Sequence, residues 1–294
     1  SLVNYFDDYN INRKLFNKNI EEIINKTQQL VNQAVSIRRP NLTSDQFLTM
    51  TALLSGNGET FQQLNQAYNN IPKKGDVSTD INDHAFVFIP VNNQAGMQDF
   101  LLERTEVSRA QFKQFAGDRF ADKKCHHYGK KLFFKKTWIK PPFDQTDRHP
   151  VICISYDEAK AYAQWLSKQS GSKYRLPTAK EWQYINRQVS TSHNCKTANV
   201  AGAETSKESK ATDNPLTCQD NHVFTAPVQS FPARTNINDL NGNVAEWITA
   251  CNGSTACAAG TSWQSGQGVN NLVTENIPAK ETNSHIGFRL VKEL

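Results

Sequence analysis

From Phe16 the apolar or small positions fall at Phe16, Ile20, Ile23, Thr27, Leu30, Ala34 and Ile37, in alternating steps of four and three. That spacing holds one stripe on one side of an α-helix and predicts a long amphipathic helix. It ends before Pro40, whose ring cannot continue it. Ile24, Val31 and Val35 widen the stripe beyond a two-stranded seam, which favours a helical hairpin packed on itself over a stalk or homodimerisation element. Thr43 or Ser44 caps a second expected helix through Leu54, closed by Gly56, and a third spans Glu59 to Tyr68. The pattern then changes. Past a linker from Pro72 to Asp83, Ala85, Val87 and Ile89 alternate with Phe86, Phe88 and Pro90, as in a short buried strand. Short elements and long turn-rich loops follow, so the reading is an all-α segment over 1–84 and a loop-rich α+β domain over 85–294. Three helices stand out in that domain: Ser108 to Phe115; Ser155 to Lys168, with Asp157 and Glu158 in its first turn; and one from Thr178, where Glu181 can close a capping box.

Composition narrows the class. With 38% hydrophobic and 21% charged residues among 294, the chain has apolar surface for a real core and is not disordered as a whole. Thirty-three basic against 28 acidic residues give +5, spread along the length. Nucleic-acid binding needs such charge gathered on one face, so nucleic acid is not an expected partner. The one dense basic run, Lys123 to Lys140, is interleaved with Phe133, Phe134 and Trp138 and reads as a solvated loop with aromatic anchors. No run of about 18 apolar residues spans a membrane. The chain opens at Ser1 without Met or a leader, so it reads as a mature fragment whose membrane connection would lie upstream.

Six cysteines occur, none in a C-x-x-C and none spaced with His as in a zinc module. Cys251 and Cys257 close a short Gly/Ser/Asn loop, and Cys195 and Cys218 bracket a polar segment. Both read as staples on long loops, which leaves Cys125 and Cys153 to pair by elimination. The alternative is a set of free thiols in a reducing compartment; the even count and loop positions favour periplasm or extracellular space. Adjacent His126 and His127 read as a surface loop. Trp165, Trp182, Trp247 and Trp263 are expected core pillars. Arg175 and Arg289 sit among apolar neighbours, so each must find a carboxylate or several carbonyls, with Glu181 and Glu246 available.

The order of Thr105-Glu106-Val107-Ser108, His149-Pro150-Val151, Ile154-Ser155-Tyr156-Asp157-Glu158-Ala159, Arg175-Leu176-Pro177-Thr178, Glu181-Trp182, Gly242-Asn243-Val244-Ala245-Glu246-Trp247, Gly260-Thr261-Ser262-Trp263 and Gly287-Phe288-Arg289 resembles the formylglycine-generating-enzyme (sulfatase-modifying factor) domain. The resemblance covers about residues 85–294 and implies a variant of the C-type-lectin fold. It also implies structural calcium at one or two sites. The first would use Asp239 and Glu246 with the Gly242 and Val244 carbonyls, a hard-oxygen set around a glycine turn. The second would use Asn199, the Val200 carbonyl, Asp220 and the His222 carbonyl. Where the family carries Gly-Leu ahead of that Asp, this chain has Asn236-Ile237, and Asn tolerates a left-handed turn.

Catalysis in this family rests on two cysteines after the Gly-Gly-Ser-Trp/Tyr motif, whose soft thiolates hold copper. Between Gly260 and Gly287 this chain has none. The histidines also lack the H-x-x-x-H-x-E spacing of the related iron enzymes. The resulting expectation is a non-catalytic, calcium-stabilised binding module, with the loop Trp263 to His285 in the family's substrate cleft. Candidate ligand contacts are Trp263, Gln264, Gln267, Asn270, Asn271, Glu275, Asn283 and Arg289, toward an unidentified protein or small molecule. The family's settings imply a periplasmic sensor, such as the outer part of a membrane-anchored bacterial Ser/Thr kinase or a type VI secretion regulator. Two alternatives are a diversity-generating-retroelement variable protein and a metal-dependent oxidase or maturation enzyme with a non-cysteine site.

Overall fold

The computed structural model describes residues 73–91, 97–127, 135–189, 194–208, 214–249, 256–269 and 273–294, with the backbone alone for 206–208 and 273–276. The helices expected between residues 16 and 68 lie outside the described residues, as do Phe133 and Phe134. In chain order the elements are β1 (Val77–Thr79), β2 (Ala85–Ile89), β3 (Phe100–Glu103), α1 (Arg109–Ala116), α2 (Tyr156–Ser170), β4 (Tyr174–Arg175), α3 (Ala179–Val189), α4 (Ala203–Glu208), β5 (Ala245–Ile248), β6 (Ala256–Ala259), β7 (Val273–Ile277), β8 (Ile286–Gly287) and β9 (Val291–Lys292). This is the mixed, loop-rich α+β architecture expected.

One compact unit runs from Lys73 to Leu294, so residues 73–83 of the segment read as a linker belong to it. Its β1 pairs antiparallel with β2, Val77 opposite Val87. All three β1 residues are exposed. An edge strand with no buried face leaves no alternation to read. In β2, by contrast, residues Phe86 to Ile89 are all buried, because both faces of the sheet are covered. Phe86 enters one core cluster, and Val87 and Ile89 enter the other.

Two sheets result, ordered β1-β2-β3-β9-β4 and β7-β6-β5-β8. Within the second, β5 runs parallel to β8, setting Glu246 opposite Gly287. The three expected helices are present, each begun by its own cap. Ser108 forms a capping box with Gln111, and Ser155 forms one with Glu158. At α3 the Thr178 amide donates to Glu181 (2.8 Å), while the Glu181 amide donates to the Thr178 hydroxyl (3.1 Å). Each such cap satisfies amides the helix cannot.

Helices α1 and α2 contribute Phe112 and Tyr162 to the first cluster, where the rings stack at 5.7 Å and Phe112 meets Trp138 edge-on at 5.2 Å. Each pair adds about 0.5–1.5 kcal/mol beyond area burial. Trp138 is thus the anchor of the basic loop. Trp182, Trp247 and Trp263 are fully buried pillars, while Trp165 is half-buried against the core. His84, fully buried, sits with Nδ1 2.5 Å from Glu103 Oε1 and Nε2 2.7 Å from the Tyr162 hydroxyl, which ties β3 to α2.

Cys125 bonds Cys153 and Cys195 bonds Cys218, with Cα separations of 4.9 and 5.9 Å. Cys257 is also disulfide-bonded; Cys251 lies outside the described residues. Such bridges belong to an oxidising compartment. Among the described residues, no helix is long and apolar enough to cross a membrane.

Candidate functional site

The turn 239–246 knits three segments together. Gly242 adopts φ +84, and a Cβ there would stand 2.2 Å from the Asn199 carbonyl oxygen. Only glycine allows that approach. It lets the Asn243 amide donate to the Asn199 carbonyl (2.8 Å) and the Trp263 amide to the Asn243 carbonyl (2.9 Å). The Asn243 side-chain oxygen accepts from the Ala226 amide and from Asn199 Nδ2. Upstream, Asn236 takes the left-handed conformation expected of it, at φ +61.

Gly287 passes so close to Val151 and Val244 that a Cβ would meet them at 2.9 and 2.8 Å, and this packs the 287–289 segment against β5. Arg289, two residues on, is fully buried. It donates through Nε and Nη2 to Glu246 Oε1 (both 2.7 Å), and to the carbonyls of Glu103, Arg104 and Asn238. Glu246 Oε2 accepts from Trp182 Nε1 (3.2 Å). Each arginine finds one of the two available carboxylates, Arg289 taking Glu246 and Arg175 taking Glu181, the second pair bidentate at 2.7 and 2.8 Å.

This geometry bears on the calcium set at Asp239, Gly242, Val244 and Glu246. Both Glu246 oxygens are committed to protein donors, and Arg289 already supplies the positive charge. Asp239 accepts from the Gln229 amide (2.7 Å). Arg289 thus already balances the Glu246 charge, and calcium at this set stands only as what the resemblance implies. Behind Asp239 lies Glu106, fully buried with neither carboxylate oxygen bonded. Burial, then the nearby Asp239 charge, holds its carboxyl well above the usual range, and burial pushes Asp239 up to about 6. Nothing in the Thr105-Glu106-Val107-Ser108 segment signals this, since burial of Glu106 is a product of long-range packing.

The set at Asn199, Val200, Asp220 and His222 differs. Asp220 accepts the Val200 and His222 amides (2.7 and 2.8 Å), which folds these residues around one point. Asn199 is 1% exposed, and its Oδ1 has no partner. A buried, unsatisfied amide oxygen on the residue next to Val200, whose own amide bonds the Asp220 carboxylate, is a hard-oxygen arrangement that fits a calcium ion. The ion would supply positive charge to hold the 199–222 loops together, a structural role.

Several expected ligand contacts change character. Arg289 and Trp263 are fully buried, so neither faces a ligand: Arg289 serves the ion pair, and Trp263 Nε1 donates to the Ser284 carbonyl (3.2 Å). Asn283 is 8% exposed, donates to Glu281 and bridges to His126. Gln267 is exposed and donates to the Pro215 carbonyl (2.8 Å). Asn270, Asn271 and the Glu275 side chain lie outside the described residues.

What gathers around Trp263 instead is a set of half-buried aromatic rings. Phe143 and Phe224 stack with centroids 4.3 Å apart, Trp263 meets both edge-on, and His127 lies 6.0 Å from Trp263. The Ser284 hydroxyl lies 2.9 Å from His127 Nδ1. Next along the chain from Trp263 and Ser284 are Gln264 and His285. Gln264 Oε1 and His285 Nδ1 are out of water and unpartnered. Burial of its ring, helped by nearby His127, pulls His285 down to about 4. The sequence pointed to Gln264 but not to His127, Phe143, Phe224 or His285, which converge from four separate loops.

A family model described as the sulfatase-modifying factor enzyme 1-like domain matches residues 60–294. The chain belongs to this family. It is 29% identical over 132 residues to the formylglycine-generating enzyme of Streptomyces coelicolor, covering 38% of this chain and 37% of that enzyme. To the formylglycine-generating enzyme of Mycobacterium tuberculosis it is 34% identical over 116 residues, 36% of each. The match thus spans little more than a third of these relatives' length. Among solved structures, PvdO from Pseudomonas aeruginosa aligns over 76% of this chain and 99% of its own, with TM-score 0.59 and 22% identity. Treponema denticola variable protein 1 aligns over 74% and 99%, with TM-score 0.50 and 15% identity. Both likenesses are of fold, the C-type-lectin-like fold of the family.

Proposed function

We propose that this sulfatase-modifying factor domain is a non-catalytic binding module of an oxidising compartment. It would be stabilised by calcium at Asn199, Val200, Asp220 and His222, and would take its ligand at the aromatic patch around Trp263. The observation that carries the reading is the absence of a thiol after the Gly260 to Trp263 motif: the last cysteine, Cys257, precedes it, is buried in β6 and is disulfide-bonded. Thiolate copper chemistry has no ligands there. The patch is suited to binding because Gln264 Oε1 and His285 Nδ1 lack partners, and a buried polar atom gains most from a donor brought by a ligand. The half-buried Phe143 and Phe224 offer it apolar surface.

Placed outside a membrane, as in the kinase and secretion settings implied by the resemblance, such a module would act as a sensor. A thermal-shift panel of sugars, amino acids and peptides against the full chain tests this. The expected result is a stabiliser whose effect disappears in Gln264→Ala and His285→Gln. A panel with no stabiliser, or one whose effect survives both substitutions, contradicts the reading.

A further inference from the structure

Away from the aromatic patch, Glu204 and Asp220 form a pair of carboxylates. Glu204, in the first turn of α4, accepts the Asp220 amide through Oε1 (2.8 Å). Its Oε2 is out of water and bonded to nothing. Asp220 is 6% exposed and spends one oxygen on each of the Val200 and His222 amides. Among the described residues no Lys or Arg forms an ion pair with either carboxylate. Two carboxylates this close repel, and burial adds to the penalty on both charges.

Two independent features mark where the missing partner belongs. Asn199 donates its Nδ2 to the Phe224 carbonyl (2.8 Å) and to Asn243 Oδ1 (3.2 Å), which leaves Oδ1 as the unsatisfied end of a buried amide adjoining Val200. Gly202 has no side chain where one would collide. A Cβ there would stand 2.8 and 2.9 Å from the two Glu204 oxygens and 2.7 Å from the Cys218 carbonyl oxygen. The glycine therefore lets the Glu204 carboxylate fold back over the 199–202 turn, and the Cys195–Cys218 bridge holds the far side. Thus the residue next to Val200 carries an orphaned amide oxygen and Glu204 an orphaned carboxylate oxygen, and both Val200 and Glu204 bond Asp220.

We infer that Glu204 is a direct ligand of this cation site, so that the set comprises the Glu204 and Asp220 carboxylates, Asn199 Oδ1 and the carbonyls of Val200 and His222. The inference rests on the calcium reading given above and adds to it a second negative charge. Two carboxylates balance a divalent ion, and the number of charged ligands is a main determinant of calcium affinity. The same pair destabilises the ion-free protein. Affinity and apo stability should therefore move in opposite directions when Glu204 loses its charge.

The test is calcium titration by calorimetry on the full chain after chelator treatment, with melting temperatures in the apo and calcium-loaded states, for wild type, Glu204→Gln and Glu204→Asp. The expected result is that Glu204→Gln weakens calcium binding about tenfold or more. Its apo melting temperature should equal or exceed that of wild type, and Glu204→Asp should recover part of the affinity. If wild type binds calcium and Glu204→Gln binds it equally well, Glu204 is not a ligand and the calcium reading stands without it. An apo Glu204→Gln protein less stable than apo wild type would assign Glu204 to holding the Asp220 amide, against the inference. If wild type binds no calcium, both readings fall.

Discussion

Replacing Arg289 with Met tests whether a protein cation, rather than a metal ion, balances the buried acids. The guanidinium is fully buried, makes two 2.7 Å contacts to Glu246 Oε1, and donates to three carbonyls from β3 and the 238 turn. Met fills similar volume but leaves Glu246 uncompensated beside Asp239 and Glu106. Breaking a buried pair by removing one partner costs about 3–5 kcal/mol, because the remaining charge stays out of water. For a domain of this size that corresponds to a fall of about 6–20 °C in melting temperature. Glu246→Gln in the Met background removes the stranded charge, and the double variant should recover about 1–3 kcal/mol of the loss by coupling. Urea denaturation followed by tryptophan fluorescence measures wild type, Arg289→Met, Glu246→Gln and the double variant, with and without calcium. A loss below about 1 kcal/mol for Arg289→Met, or its rescue by millimolar calcium, would contradict the charge-balancing role of Arg289.

Three further outcomes follow from the geometry. Cys195→Ala with Cys218→Ala opens a bridge between residues 23 apart and should cost about 2–4 kcal/mol, seen as a lower urea midpoint; an unchanged midpoint would show the loop is held by other contacts. Gly242→Ala puts a Cβ 2.2 Å from the Asn199 carbonyl at φ +84, so thermal melts should show a loss of about 2–4 kcal/mol and calorimetry weaker calcium binding. His285 is held neutral, at about 4 against an ordinary 6.5. Above 6.5 neither folded nor unfolded chain protonates it and stability is full. As pH falls from 6.5 toward 4 the unfolded chain takes up a proton that the folded one refuses, which removes up to about 3 kcal/mol. Melts from pH 7 to 4 should show that slope in wild type and a shallower one in His285→Gln; equal slopes would place the titration elsewhere.

The helices of the domain were legible because their signals are local: a serine or threonine cap and an acid or amide three residues on lie within one turn. That Arg175 and Arg289 each need a buried partner was legible for a different reason, since an arginine amid apolar residues has few ways to be buried, but which glutamate each takes was not. Neither rule reaches the exposed edge strand β1, which has no buried face to encode. Nor does either reveal which motif residues face solvent. Trp263 and Arg289 stand in recognisable motifs and were expected to touch ligand, but sheet pairing and the close approach of Gly287 put both inside. Glu204 went unread because 16 residues and a disulfide-bridged loop separate it from Asp220. Only folding brings the two carboxylates together.

A domain that binds without catalysing, as proposed, leaves oxygen and peptide thiols unchanged even when copper is supplied. The most direct measurement is oxygen uptake by the full chain loaded with Cu(I), supplied with a cysteine-containing peptide substrate of a formylglycine-generating enzyme, with the peptide's mass followed in parallel. The expected result is no enzyme-dependent oxygen uptake and an unchanged peptide. Conversion of the cysteine to formylglycine, with matching oxygen consumption, would contradict it.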